Sequence, residues 1–61
     1  MDRLLTTEEA AELCSVSVIT LARWRKEPGA GPNWVRIGPR LVRYRLSAVQ
    51  AWLDEQQPRG G

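Results

Sequence analysis

Two short helical segments, joined by a connection too short to hold them apart, constrain the fold of this chain more than any other feature. The stretch Thr6-Thr7-Glu8-Glu9 has capping-box spacing and predicts that a first helix begins there. Ser17 can cap a second helix, which we expect to run to about Lys26 before Pro28-Gly29 ends it. Since only Ser15-Val16-Ser17 separates the two helices, they are predicted to pack directly against each other.

Both helices are predicted to have an apolar inner side. At roughly 100° per residue, the second helix divides into an inner and an outer face. The residues expected on the inner sides are Ala10, Ala11, Leu13 and Cys14 in the first helix and Val18, Leu21 and Trp24 in the second. Those expected on the outer face of the second helix are Ile19, Ala22, Arg23 and Lys26. The small side chains of the first helix allow the second to approach closely.

A β-hairpin is predicted after the helices, beyond a loop of residues 27–33 that is rich in Pro and Gly. Residues 34–37 and 42–45 alternate as strands do, and Gly38-Pro39-Arg40-Leu41 supplies the reversal, with a wide tip because of Pro39. A turn symmetric about Pro39 and Arg40 predicts the cross-strand pairs Ile37 with Val42, Val35 with Tyr44, and Arg36 with Arg43. The apolar pairs would then share the inner face, and the two arginines the outer face.

A third helix is predicted to begin at Ser47-Ala48-Val49-Gln50, which again has capping-box spacing. Val49, Trp52 and Leu53 recur at helical spacing and are expected in the core. Residues 1–55 are therefore predicted to form one domain. Residues 56–61, which end in Pro58-Arg59-Gly60-Gly61, are predicted to be a disordered tail.

The composition excludes several classes of protein. With 61 residues, of which 43% are hydrophobic, the chain can form one domain with a small core. It has no long apolar run and no signal peptide, so we expect a cytoplasmic protein without a membrane partner. It has no histidine and a single cysteine, so we expect neither a disulfide nor a metal site. Since it also has no nucleophile motif and no Gly-rich phosphate loop, we expect no enzyme activity and no cofactor.

Charge is divided unevenly along the chain. Residues 1–22 hold one base and four acids, for a net charge of −3. Residues 23–45 hold seven bases against Glu27 alone, for a net charge of +6. Such segregation is typical of a surface that binds a polyanion, although the net charge of the whole chain is only +2.

The outer face of the second helix is the first candidate site. A helix that enters the major groove of DNA needs a packed partner helix, a short connection and exposed side chains, and residues 7–26 meet each condition. Ser17 is predicted to donate to phosphate at the helix start. Base or backbone contacts are predicted for Arg23 and Lys26, thymine-methyl contacts for Ile19 and Thr20, and a phosphate contact or a salt bridge for Arg25. A solvated basic face on a small helical domain is the alternative.

The predicted hairpin adds three arginines, Arg36, Arg40 and Arg43. Like charges that face each other destabilise a sheet, so a phosphate backbone would relieve the repulsion of Arg36 by Arg43. Arg40 at the tip is expected to contact phosphate, with insertion into a narrow minor groove as the alternative. Charged strands also discourage aggregation, but charges of both signs would serve that purpose equally well. The exclusively positive charge of these three residues therefore favours a nucleic-acid contact.

The aromatic and thiol side chains have structural explanations. Trp24 and Trp52 lie at helical core positions and are predicted to pack in the core rather than to stack on unpaired bases. Trp34 either closes the loop over the core or lies beside the nucleic acid. Cys14 has no evident basic neighbour and is expected to be a buried, unreactive thiol.

These segments occur in an order that is similar to that of a known family. They are Leu4-Leu5-Thr6-Thr7-Glu8-Glu9-Ala10-Ala11-Glu12-Leu13, Val16-Ser17-x-x-Thr20-Leu21-x-x-Trp24-Arg25, Val35-Arg36-Ile37-Gly38, Arg43-Tyr44 and Val49-x-Ala51-Trp52-Leu53. From about Leu4 to Leu53 the chain closely resembles the MerR-like excisionase and AlpA-type winged helix-turn-helix family. The resemblance implies a mainly α-helical fold of three helices with a two-stranded wing, in which the second helix enters the major groove, the wing touches the adjacent backbone or minor groove, and Tyr44 packs under the wing.

The sequence departs from the family pattern at two places. Ser15 stands where the family usually has glycine, at the turn between the first two helices. Val18-Ile19 replaces a pair that is often polar or basic, so we expect weaker or more apolar base contacts there.

The resemblance also implies a function. Small members of the family resemble recombination directionality factors of phages or mobile elements, which bind repeated DNA sites cooperatively, bend the duplex and bias an integrase toward excision. The expected partners are therefore double-stranded DNA, an integrase and further copies of the chain on DNA, with no small-molecule effector. An AlpA-type transcriptional regulator would use the same surface. A protein-interaction module that binds an acidic partner is an alternative of another class.

Overall fold

Three helices and a small antiparallel sheet form the fold. A computed structural model of the chain describes residues 2–56. In chain order the elements are β1 (Leu4–Leu5), α1 (Thr7–Cys14), α2 (Val18–Arg25), β2 (Val35–Ile37), β3 (Leu41–Arg45) and α3 (Leu46–Glu55). The predicted fold class, three helices with a hairpin wing, is confirmed. Gln56 is the C-cap of α3, and the rest of the predicted tail, residues 57–61, lies outside the described residues.

Both predicted caps of the first two helices are present. The Thr6 hydroxyl accepts from the Glu9 amide at 3.1 Å, and the Glu9 carboxylate accepts from the Thr6 amide at 2.9 Å. At the start of α2 the Ser17 hydroxyl accepts from the Thr20 amide at 3.1 Å. These caps are local interactions, and they hold both helix starts at the positions that the sequence predicts.

A left-handed residue reverses the chain between α1 and α2. Ser15 has φ of 58°, and it is the one non-glycine residue with positive φ among residues 2–56. In this conformation the Val16 amide donates to the Ala11 carbonyl at 3.0 Å and closes the end of α1. The position that the family usually fills with glycine is therefore one at which glycine carries less steric cost than serine.

The sheet has a strand that the sequence did not predict. Its order is β1-β3-β2, with both neighbours antiparallel to β3. Strand β1 is only two residues long, and it pairs Leu5 with Tyr44. The wing of β2 and β3 is therefore continued at its base by β1, which anchors the central strand on its second edge.

The predicted register of the hairpin is wrong by one residue. The observed pairs are Ile37 with Leu41, Arg36 with Val42, and Val35 with Arg43. The turn holds the three residues 38–40, with Gly38 at φ of 67°, and Leu41 belongs to β3. A slip of one residue moves a side chain to the other face of a sheet. Arg36 therefore shares a face with Val42, and the predicted pairing of Arg36 with Arg43 does not occur.

The start of α3 also differs from the prediction. The helix begins at Leu46 with Arg45 as N-cap, and Arg45 makes no side-chain cap hydrogen bond. Instead the Asp2 carboxylate accepts from the Ser47 amide at 3.1 Å and from the Ser47 hydroxyl at 2.6 Å. The Leu46 amide donates to the Arg3 carbonyl at 2.8 Å. The N-terminal segment thus satisfies two of the free amides at the start of α3, and the predicted capping box at Ser47 is wrong.

One small core holds the helices against the sheet. Tyr44 is 1% exposed and Val49 is fully buried, as predicted. Leu53 is partly buried against this core, and Trp52 is half-buried with its ring 5.4 Å from that of Trp24. The buried residues of the core are Leu5, Ala10, Ala11, Leu21, Tyr44 and Val49.

Two residues predicted on the inner helix sides lie largely outside the core. Leu13 is 48% exposed, because it projects about 110° from the centre of the arc formed by Ala10, Ala11 and Cys14. Val18 is 41% exposed, since it is the first residue of α2. The buried contact between α1 and α2 is therefore narrower than the apolar pattern predicts.

Candidate nucleic-acid interface

Helix α2 turns one side toward the core and leaves the other open. Leu21 is 1% exposed and packs inward, whereas Ile19 is 79% exposed. Arg23 and Lys26 are also exposed, as predicted for the outer face, and so is Ser17 at the start of the helix. The remaining predicted contact residues of α2, Thr20 and Arg25, and the outer-face residue Ala22 are half-buried.

Two hydroxyls are joined at the start of α2. The oxygens of Ser17 and Thr20 lie 2.9 Å apart, and Ser17 Oγ also accepts from the Thr20 amide. When Thr20 donates its hydroxyl proton to Ser17, the Ser17 proton is free to donate outward. The arrangement places a hydroxyl donor beside the free amides of a helix start, which is the chemistry that phosphate oxygens accept.

Arg25 is held by the core rather than by an acid. Its Nη1 donates to the Tyr44 hydroxyl at 3.0 Å. This bond leaves the other guanidinium N–H groups without a protein partner among the described residues. The structure thus holds one end of the Arg25 guanidinium and leaves its other donors available. The salt bridge predicted for Arg25 does not form with any acid among residues 2–56.

The arginines of the wing have different surroundings. Arg36 is exposed, and its guanidinium carbon lies 5.7 Å from the centre of the Trp34 ring, within the range of a cation–π contact. Arg43 is half-buried and donates to the Val42 carbonyl at 2.8 Å. Arg40 is exposed in the turn. Since Arg36 and Arg43 lie on opposite faces of the sheet, they do not repel each other as predicted, and this repulsion no longer supports a bound phosphate.

Positive charge that lacks an ion-pair partner is the remaining evidence for an anionic partner. Among residues 2–56 the one ion pair joins Arg3 to Glu9 at 3.0 Å, far along the chain from the basic segment. In sequence, no acid lies between Glu27 and Asp54. The cations of α2 and the wing therefore form no ion pair within the described part of the protein, and they remain available to an anionic partner.

The acids near the N-terminus are engaged in local structure. Hydrogen bonds from the Ser47 hydroxyl and amide hold the pKa of the Asp2 carboxyl below its usual value. The hydrogen bond from the Thr6 amide, together with the nearby Arg3 charge, lowers the pKa of Glu9. These carboxylates stabilise helix starts, and they contribute nothing to the basic surface.

Comparison with known proteins identifies the family. Residues 4–57 match the model of a family described as a helix-turn-helix domain, which includes excisionase-like and AlpA-like proteins. The chain belongs to this helix-turn-helix family. A search of curated proteins and a search of solved structures each gave no match.

As a helix-turn-helix protein the chain binds double-stranded DNA. In the structure, α1 and α2 are the helix pair, and Ser15 makes the turn between them. The hairpin of β2 and β3 then corresponds to the wing. No helix within residues 2–56 is long and apolar enough to cross a membrane.

The tryptophans of this helix-turn-helix domain have structural positions. Trp24, Trp34 and Trp52 all pack at the edge of the core or against each other. Trp34 packs against the core beside the loop of residues 27–33, as the structural role predicts, and a place beside the nucleic acid stays a prediction. Together the three rings line an open groove beside the loop of residues 27–33, which sequence patterns did not reveal.

The remaining candidate chemistry is limited. Cys14 is half-buried, and burial raises the pKa of its thiol, which disfavours the reactive thiolate. Among residues 2–56 no group of three histidine, cysteine or acidic side chains is arranged to hold a metal ion.

Proposed function

We propose that this helix-turn-helix protein is an excisionase, a recombination directionality factor of a phage or mobile element. It binds repeated sites cooperatively, bends the duplex and biases an integrase toward excision. The observation that carries the proposal is the exposed basic surface of α2 and the wing, which no ion pair within residues 2–56 neutralises. A protein with this surface acts by organising DNA rather than by chemistry of its own.

In the proposed complex α2 lies in the major groove, with α1 crossing behind it. Arg23 and Lys26 contact guanine or the backbone, because they are exposed on the outer face. Ile19, the most exposed apolar residue of α2, contacts a thymine methyl group together with Thr20. Ser17 and Arg25 donate to phosphates at the two ends of the helix.

The wing supplies the second contact. Arg40 in the turn and Arg36 on the adjoining strand bind the neighbouring backbone, and Arg43 supports them from the other face. Bending a site costs on the order of 1–6 kcal/mol, which one small domain recovers only in part. Adjacent copies that each add a groove contact and a wing contact supply the rest, and this is why cooperative binding belongs to the proposal.

The test uses sites selected from a pool of random duplexes. Affinity measured over a range of salt concentrations should fall with a logarithmic slope of about −0.9 for each phosphate contact, and circular-permutation gels should show a bend centred on the site. Addition of the protein to its integrase should then raise the yield of excision product from a substrate carrying both attachment sites.

Each other outcome favours a different function. Sequence-specific binding without a bend and without an effect on excision would favour an AlpA-type regulator. An affinity for duplex DNA that hardly changes with salt would remove both DNA functions and favour an acidic protein partner.

A further inference from the structure

The tip of the wing has an exposed apolar pair. Ile37 and Leu41 lie directly opposite each other, at the last paired position before the turn of residues 38–40. Side chains that oppose each other in an antiparallel pair lie on the same face and in contact range. Ile37 is 41% exposed and Leu41 is 51% exposed, and neither is among the residues packed against the core. The core therefore does not cover this pair.

The surroundings of this pair are cationic. Arg36 and Arg40 lie within one residue of Ile37 and Leu41 in the chain, and Arg43 lies on the same face of the sheet two residues beyond Leu41. No acid occurs in residues 28–53. An apolar pair whose charged neighbours in the chain are all positive fits a partner that is anionic at its edges and apolar inside. A nucleic-acid groove, with phosphates along its rims and bases at its floor, is such a partner.

Dimensions decide how such a tip can enter the minor groove. Two paired strands are about 4.8 Å apart before side chains are added, whereas the minor groove of B-DNA is about 6 Å wide. The body of the wing is therefore too wide for an undistorted minor groove, and only the tip can enter. Entry requires the groove to open, and apolar side chains that enter at a base step do this by partly unstacking the bases.

We propose that Ile37 and Leu41 form an apolar wedge, which enters the minor groove beside the contact made by α2, loosens one base step and kinks the duplex toward the major groove. This inference rests on the proposed DNA-bending function and assigns the bend to two residues. Phosphate contacts alone would be served by Arg36 and Arg40. The exposed apolar pair gains free energy only where water is removed from it, and a separated base step offers such a surface.

The experiment compares the wild-type protein with the double variant Ile37→Thr/Leu41→Thr. Threonine is β-branched and has a high strand propensity, so the hairpin should form. The matched control is Leu13→Gln, which removes a leucine of similar exposure, 48%, from α1 and keeps helix propensity. Thermal unfolding of all three proteins first verifies the fold. If the double variant does not fold, the single variant Leu41→Thr replaces it.

Three measurements follow on the selected site. They are affinity by fluorescence anisotropy, bend angle by energy transfer between the duplex ends, and unstacking by 2-aminopurine placed at each step that flanks the α2 contact. Wild type and Leu13→Gln should brighten 2-aminopurine at one step and bend the duplex. The double variant should lose the brightening and most of the bend, and its affinity should fall about tenfold, as expected when two half-exposed apolar side chains no longer become buried.

The outcomes separate this inference from the proposed function. If the double variant bends the duplex and brightens 2-aminopurine as wild type does, the proposed wedge is wrong, but the proposed DNA-bending function still holds. If wild type neither selects a site nor bends it, the proposed function itself fails. Vesicles of anionic lipid test another surface that is both apolar and anionic. If the double variant loses binding to these vesicles but binds DNA as wild type does, the wedge is overturned.

Discussion

Nη1 of Arg25 donates a hydrogen bond of 3.0 Å to the hydroxyl oxygen of Tyr44, and this bond ties helix α2 to the central strand of the sheet. Tyr44 is 1% exposed, so the bond lies at the edge of the core. The last turn of α2 is thereby fixed relative to the strand that continues into the wing. The two surfaces proposed to contact DNA thus share one rigid connection.

Removal of the Tyr44 hydroxyl should weaken this connection with little change in packing. We predict that Tyr44→Phe lowers the free energy of unfolding by about 1 kcal/mol, because one partly buried hydrogen bond is lost. For a domain of this size the melting temperature should fall by roughly 4–8 °C. Urea unfolding of Tyr44→Phe, Arg25→Met and the double variant measures the coupling, and additive effects within about 0.3 kcal/mol would show that the bond does not contribute.

The contact between Asp2 and Ser47 should make part of the stability depend on pH. The Ser47 hydroxyl is the main cause that lowers the pKa of Asp2 in the folded protein. A carboxyl with a lowered folded-state pKa stabilises the fold while it is ionised, and this contribution is lost as the pH falls below about 4. We predict that Asp2→Asn lowers the melting temperature at neutral pH and makes its decrease on acidification smaller.

Thermal unfolding between about pH 7 and pH 2.5 measures this effect. The control is Asp54→Asn, which removes a carboxylate from the last turns of the same helix α3, away from Ser47. Identical pH profiles for the two variants would contradict a role for Asp2.

The left-handed conformation of Ser15 should carry a cost that glycine avoids. Its φ is 58°, and its side chain is exposed, so substitution changes little else. We predict that Ser15→Gly raises the free energy of unfolding by about 1 kcal/mol and that Ser15→Val lowers it by a similar amount or more. Chemical denaturation checks both values, and a loss of stability in Ser15→Gly would mean that the serine side chain contributes a contact that the geometry does not show.

Two loop glycines separate backbone strain from crowding. Gly29 and Gly31 have φ of 79° and 73°, but only at Gly31 would an added Cβ meet another side chain, at 3.0 Å from Cε3 of Trp24. Gly29→Ala should therefore cost about 1 kcal/mol from strain alone, and Gly31→Ala should cost a further 1–3 kcal/mol or so from displacement of Trp24. Thermal melts with tryptophan fluorescence measure both, and equal losses would mean that Trp24 moves aside freely.

The two surfaces proposed to contact DNA should differ in how their loss affects binding. We predict that Arg23→Ala reduces discrimination between the selected site and mismatched duplexes by about 1–3 kcal/mol, whereas Arg40→Ala weakens binding to all duplexes similarly. Competition binding with a panel of point-mutated sites measures the difference. The control is Arg3→Ala, since Arg3 is paired with Glu9 outside the basic segment and its removal should leave both quantities unchanged.

The features that the sequence predicted correctly depend on nearby residues. The caps at Thr6 and Ser17 join residues three positions apart, so a short motif contains both partners. The burial of Tyr44 and Val49 follows from apolar periodicity within single elements. The positions of α1 and α2, and with them the exposed outer face, could therefore be predicted from the sequence.

The features that were missed depend on distant residues or on turn geometry. The cap of α3 comes from Asp2, 45 residues before Ser47, and no local motif contains that pair. Strand β1 has two residues, too few for an alternating pattern. The register of the wing depends on a three-residue turn, and the prediction of a turn centred between Pro39 and Arg40 moved Arg36 to the wrong face. The apolar pair at the tip became visible only with the correct register.

The shortness of α2 limits how many base pairs it can recognise. Eight residues rise about 12 Å along a helix axis, a length that spans only three or four base pairs at about 3.4 Å each. A sequence of four base pairs occurs by chance about once in 256 positions, so α2 alone would recognise a very large number of sites on a chromosome. In the proposed complex, a site long enough to occur once must therefore combine several short sequences, contacted by α2, by the wing of the same molecule and by neighbouring copies.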